Sequence, residues 1–170
     1  MNIARETVTR YLDDGTTPLY TDIPVALEQP SGAFVTLRKN GELCRCVGHM
    51  LGSQELCHAV QHAAVSTATQ DSRFPPVTQD ELQEITIEIS VLSPMRWVHK
   101  MHGIKVGRDW LYILWGPYSG VLLPQVAVEQ GWDRDEFLTQ VCMKDGLPAD
   151  AWQQGASLYR FTAQVFAESD

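Results

Sequence analysis

The chain has 170 residues, 44% of them hydrophobic and 20% charged, with a formal charge of −8. This is the composition of one globular domain, large enough to bury a core without disulfide or metal staples. The acidic balance argues against nucleic acid and anionic membrane as partners.

No apolar run reaches the roughly 18–20 residues that a membrane helix needs. The opening MNIARETVTRYLDD lacks the apolar stretch of a secretion signal. A soluble, cytoplasmic protein is therefore expected, with Cys44, Cys46, Cys57 and Cys142 as reduced thiols.

In chain order, Ile3, Val8, Tyr11 and Leu12 fall at helical spacing before Asp13-Asp14-Gly15, which predicts a short helix over 3–12. Residues 16–31 read as a connection. FVTLRK and ELCRCV flank Asn40-Gly41, the pair favoured in a two-residue hairpin turn. The register of that turn sets Lys39 against Glu42, Leu37 against Cys44 and Val35 against Cys46. It puts both cysteines on the face of Val35 and Leu37, and Arg45 on the other face beside Thr36.

A helix is predicted over 53–69, capped by Ser53, with Leu56, Ala59, Val60, Ala63 and Thr67 on its apolar side. ITIEISVL (85–92) alternates as a half-buried strand, with Ile85, Ile87, Ile89 and Val91 inward and Thr86, Glu88 and Ser90 outward. Residues 104–106 and 110–115 read as strands around Gly107-Arg108-Asp109, and 121–123 as another. Pro124 opens a helix running to about Gln130. Asp133 and Glu136 form a capping box for the next helix, which stops at Gly146 before Pro148. LYRFTAQVF (158–166) alternates as one closing strand.

Antiparallel strands with interspersed helices, and no glycine-rich strand–helix loop, give an α+β class and argue against a dinucleotide fold. His58 and His62 are i, i+4 on one helical side, a workable chelating spacing, but on the side away from the apolar face. They read as two solvated histidines, and no metal or cofactor is assigned. Glu88, Arg73, Arg108 and Gln125 are polar groups on a strand face or at turns. They can bind a polar ligand, or serve structure, as when Arg73 and Arg108 pair with Asp71 and Asp109.

Nine stretches carry a wider likeness: GAFVTL (32–37), LCRCVG (43–48), DSRFPPVT (71–78), IEISVLSP (87–94), VGRDWL (106–111), SGVLLPQVA (119–127), GWDRDEFL (131–138), CMKDGLPADAW (142–152) and YRFTAQVF (159–166). In this order they resemble the AMMECR-type domain, also called AmmeMemoRadiSam system protein A. The resemblance covers nearly the whole chain as one domain, 1–170. It implies a mainly antiparallel sheet fold with flanking helices, in a larger and a smaller subdomain with a cleft between. It carries no established reaction. It implies a Memo-like protein and a radical S-adenosylmethionine enzyme as partners.

The family's central motif reads Leu-Arg-Gly-Cys-Ile-Gly. Here Cys44 stands at its arginine position and Arg45 at its first glycine position. Cys46 keeps the cysteine position and is the sharpest candidate nucleophile, with Arg45 or His49 to activate it. Its other reading, and the more common one for a cysteine on a strand, is a small buried hydrophobe against Val35. Two functions follow. One is an accessory or adaptor protein that binds a partner or polar ligand in the cleft. The other is an enzyme on a polar small molecule or protein side chain, with Cys46 and Glu88 catalytic and Arg45, Arg73, Arg108 and Gln125 binding.

Overall fold

A computed structural model describes every residue except Gly41, Arg73, Asp145, Ser169 and Asp170, and does not describe the side chain of Leu43. The chain forms two compact units. The first, larger unit is Met1–Ser93 with Ala163–Asp170, and the second is Pro94–Thr162.

The first unit opens with α1 (Asn2–Asp14), ended by Gly15 at φ 77°, a left-handed position that glycine takes without strain. A single turn, α2 (Val25–Glu28), interrupts the connection that follows. Four antiparallel strands then build a sheet in the order β2-β1-β3-β8. They are β1 (Ala33–Lys39), β2 (Glu42–His49), β3 (Ile85–Leu92) and β8 (Ala163–Ala167). The helix α3 (Leu56–Thr69) packs on β1 and β2 with one side and on α1 with another. That double contact buries Cys57, Gln61, Ala64 and Ala68 along with the expected apolar face. Its small alanines permit the close approach on both sides. Val35, Leu37 and Ile87 are fully buried where the sheet meets this helix layer.

Ser53 does not cap α3. Glu55 precedes the helix, with no side-chain cap. Asn40 takes φ 53°, as the hairpin turn requires of its first central residue. Gly41, the second, lies outside the described residues.

The second unit has its own antiparallel sheet in the order β4-β7-β5-β6. Its strands are β4 (Arg96–Trp97), β5 (Trp110–Trp115), β6 (Tyr118–Leu122) and β7 (Ser157–Phe161). The helix α4 (Pro124–Glu129) starts on its proline as the sequence predicts. The helix α5 (Arg134–Lys144) carries the predicted capping box. The Asp133 carboxylate accepts from the Glu136 N–H at 2.8 Å, and Glu136 accepts from the Asp133 N–H at 3.1 Å. Phe137, Leu138, Val141 and Cys142 of α5 pack with Leu111, Ile113 and Leu158 as a second core.

Two expected strands are corrected. Residues 104–106 form no strand, because the Lys105 and Asp109 backbones close a turn there. The closing segment is two strands in different sheets, β7 and β8, broken at Thr162. Alternation alone reads straight through such a break, since it reports which way side chains point and not which strand is the neighbour. Among the described residues no helix is long and apolar enough to cross a membrane.

Candidate functional site

The hairpin register departs from the turn-based expectation. Lys39 pairs with Glu42 and Arg38 with Leu43, but Leu37 then pairs with Arg45, Thr36 with Cys46 and Val35 with Val47. Cys44 is an extra, unpaired residue, a β-bulge, and every residue beyond it is displaced by one. A displacement of one residue exchanges the two faces of a strand. Arg45 therefore lies on the side of Leu37 and α3, and Cys46 on the opposite side with Thr36.

The final glycine of the LCRCVG motif explains part of this choice. Gly48 lies opposite Phe34. A Cβ there would meet the Ala33 carbonyl oxygen, the Phe34 Cα at 2.5 Å and the Phe34 Cγ at 2.7 Å. Only a residue without a side chain lets the two strands approach under the Phe34 ring.

The face away from α3 carries a lateral row. Thr36 pairs with Cys46 on one side and with Glu88 on the other, so Cys46, Thr36 and Glu88 stand abreast on three adjacent strands. Thr36 is buried, and its hydroxyl donates to the Cys46 sulfur at 3.2 Å. Glu88 accepts from Arg38 Nε at 3.3 Å, a diagonal contact between β3 and β1 in which both side chains stay partly exposed. Ser90, two residues along from Glu88, is buried on the same face. The row thus combines a thiol, a hydroxyl, a carboxylate and a guanidinium on one rigid surface. Thr36 and Arg38 were not singled out in the sequence. Their alternation along β1 was the available signal, but the bulge hid which β2 residues they meet.

The other sequence candidates lie elsewhere. Arg45 is only 8% exposed. Its Nη1 donates to the Ala68 carbonyl at 3.2 Å, and its guanidinium lies 5.6 Å from the centroid of the Phe74 ring. It thereby supplies a cation to the last turn of α3, where carbonyls are left over. His49 pairs with Ala33, on the α3 side of the sheet, and its ring meets that of His62. Neither Arg45 nor His49 shares a face with the Cys46 thiol.

Arg108 forms a tight ion pair with Asp109, at 2.6 and 2.9 Å. Asp109 is almost fully buried. It also accepts from the Lys105 N–H at 2.9 Å and from Arg160 at 3.3 Å. Burial alone would raise the Asp109 carboxyl, but these donors and the two guanidinium charges outweigh it and hold the group below the usual aspartate value. Gln125 sits exposed in the first turn of α4. Arg73 lies outside the described residues.

With this geometry in hand, comparison with known proteins is decisive for the family. A sequence model of the AMMECR1 family matches residues 1–166. The chain belongs to the AMMECR1 family. Similar members include protein TK0174 of Thermococcus kodakarensis, 46% identical across 86% of this chain and 77% of that protein. Protein MJ0810 of Methanocaldococcus jannaschii is 41% identical across 97% of this chain and 86% of its own length. The crystal structure of the uncharacterised AMMECR1-family relative PH0010 from Pyrococcus horikoshii superposes with a TM-score of 0.87 at 39% identity. It covers 99% of this chain and 89% of that one. None of these names states an activity. At the two positions where the resemblance implies Arg-Gly, this chain has Cys44 as the bulge residue and Arg45 as a buried guanidinium on the α3 side.

Proposed function

We propose that this AMMECR1-family protein is an accessory component that acts with a Memo-like protein and a radical S-adenosylmethionine enzyme, and that the face bearing Cys46, Thr36, Arg38 and Glu88 recognises the partner or a polar ligand. One observation supports a binding role over a catalytic one. The reactive groups of the row are engaged with neighbours, Thr36 with Cys46 and Arg38 with Glu88, and the two groups suited to activate the thiol lie on the opposite face. A nucleophilic cysteine needs a base or a cation beside it.

The test is affinity capture of the tagged protein from its native cells, beside an Arg38→Glu variant that sets two carboxylates against each other on the proposed surface. Recovery of either named partner with the wild type, and its loss with the variant, is expected. Equal recovery with both forms overturns the assignment of the surface, and recovery of neither partner overturns the accessory role.

The second reading is an enzyme in which Cys46 attacks and Glu88 moves the proton. Its support is the shared lateral row. Two strand spacings put these residues roughly 10 Å apart at the backbone, with Thr36 between.

A further inference from the structure

His58 and His62 sit on the exposed side of α3. Their i, i+4 spacing alone describes two solvated side chains. The fold adds a third imidazole that the spacing does not contain. β2 delivers His49 against His62, with ring centroids 5.4 Å apart and planes inclined by 40°.

That separation has a chemical meaning. Two imidazoles on one tetrahedral ion, each nitrogen about 2.0–2.1 Å from the metal, hold their ring centroids roughly 5 Å apart. The His49–His62 pair already has this spacing, from two different elements of one packed layer. His58 lies one helical turn before His62, the position from which a third ring joins by rotation about its side-chain bonds. Its Nδ1 lies 3.5 Å from the Glu55 carboxylate, the kind of partner that orients a ligating histidine. Among the described residues no three His, Cys, Asp or Glu side chains are gathered in advance, and the ring contact of His49 with His62 is the observation on which the site rests.

We propose that His49 and His62 bind a divalent first-row transition ion, with His58 as a third ligand and water completing the shell. Imidazole nitrogens and an open, solvated position suit Zn(II), Ni(II) and Cu(II) over Mg(II) or Ca(II), which prefer oxygen. The site is independent of the surface around Cys46, because His49 and Cys46 occupy opposite faces of β2.

The test uses tag-free, full-length protein titrated with zinc chloride and with nickel chloride by calorimetry, alongside thermal melts. One ion per chain is expected, with a rise in melting temperature at saturation. His49→Ala and His62→Ala should each weaken binding by about tenfold or more, and His58→Ala by less. His99→Ala and a Cys44→Ser/Cys46→Ser double variant should bind as the wild type does. All six substituted positions are exposed or half-exposed, and circular dichroism checks the fold of each of the five variants. No saturable binding means that the ring contact is packing only, and overturns the site. Binding that survives both His49→Ala and His62→Ala, or that disappears with the cysteines, overturns it as well.

Discussion

Thr36 donates its hydroxyl hydrogen to the sulfur of Cys46 across 3.2 Å, and the two residues meet only because Cys44 is left unpaired as a bulge in β2. The bond ties the motif cysteine to its own sheet. Among the described residues, no imidazole or carboxylate is hydrogen-bonded to that thiol.

Alkylation of the native protein should reflect this. Cys44 and Cys46 are both half-buried and should react with iodoacetamide at similar rates. Cys57 and Cys142 should stay unmodified until the protein unfolds, since burial pushes both thiols up and removes their thiolate at neutral pH. Peptide mapping by mass spectrometry reads all four sites at once. A Cys46 that outruns Cys44 by about a hundredfold would mark an activated thiolate and favour the enzyme reading.

Gly48→Ala should destabilise the first unit by about 3 kcal/mol or more, because the new methyl group meets backbone on the facing strand and has nowhere to relax. Urea unfolding followed by circular dichroism gives the value. An alanine at Gly131, where no neighbouring atom lies within 4 Å, should cost far less despite its φ of 68°.

Arg45→Ala should cost about 1.5–3 kcal/mol, the worth of a charged hydrogen bond to a buried carbonyl together with the lost stacking on Phe74. Arg45→Lys should recover little of it, because an ammonium lacks the flat face that lies over the ring. The same unfolding experiment separates the two. An Arg45→Ala variant as stable as the wild type would instead make the guanidinium a group held for a ligand.

Acid should weaken both units. In the second unit, the Asp109 carboxyl is held low despite its burial by Arg108, the Lys105 N–H and Arg160. In the first, Glu168 is likewise held low despite its burial. It accepts from Arg5 and from the Ile87 N–H at 2.8 Å, while Arg5 also donates to the carbonyls of Leu82 and Ile85. A depressed carboxylate contributes stability that is complete above its unfolded value and is lost as pH falls through its folded one. The unfolded values are near 3.8 and 4.5, so melting temperature should be flat above about pH 5.5 and fall steadily below about pH 4. Asp109→Asn should remove the acid-sensitive part in the second unit and cost roughly 3 kcal/mol at neutral pH, since it leaves a buried amide among cations.

Much of the fold was legible in the sequence because its signals are local. The alternation of ITIEISVL gave β3 with its boundaries, and Asp133 with Glu136 gave the start of α5, since a cap is made within four residues. Asn40-Gly41 located the hairpin, and nine ordered motifs located the family. The strand break at Thr162 was not legible. LYRF and AQVF alternate in phase, and only the neighbours they find separate them.

The candidate site divides in the same way. The sequence by itself determined that Cys46 and Glu88 stand on strands and that His58 and His62 share a helix side, because period-2 and period-3.6 geometry hold whatever the chain packs against. Tertiary structure decided which of these residues meet. The bulge at Cys44 answers to the closeness of Phe34 over Gly48, a contact between strands, and its one-residue displacement turned Arg45 inward, gave Cys46 to Thr36, and brought His49 to His62. A register is chosen by the sum of side-chain contacts across two strands and the layer behind them, and no window along one strand contains that sum.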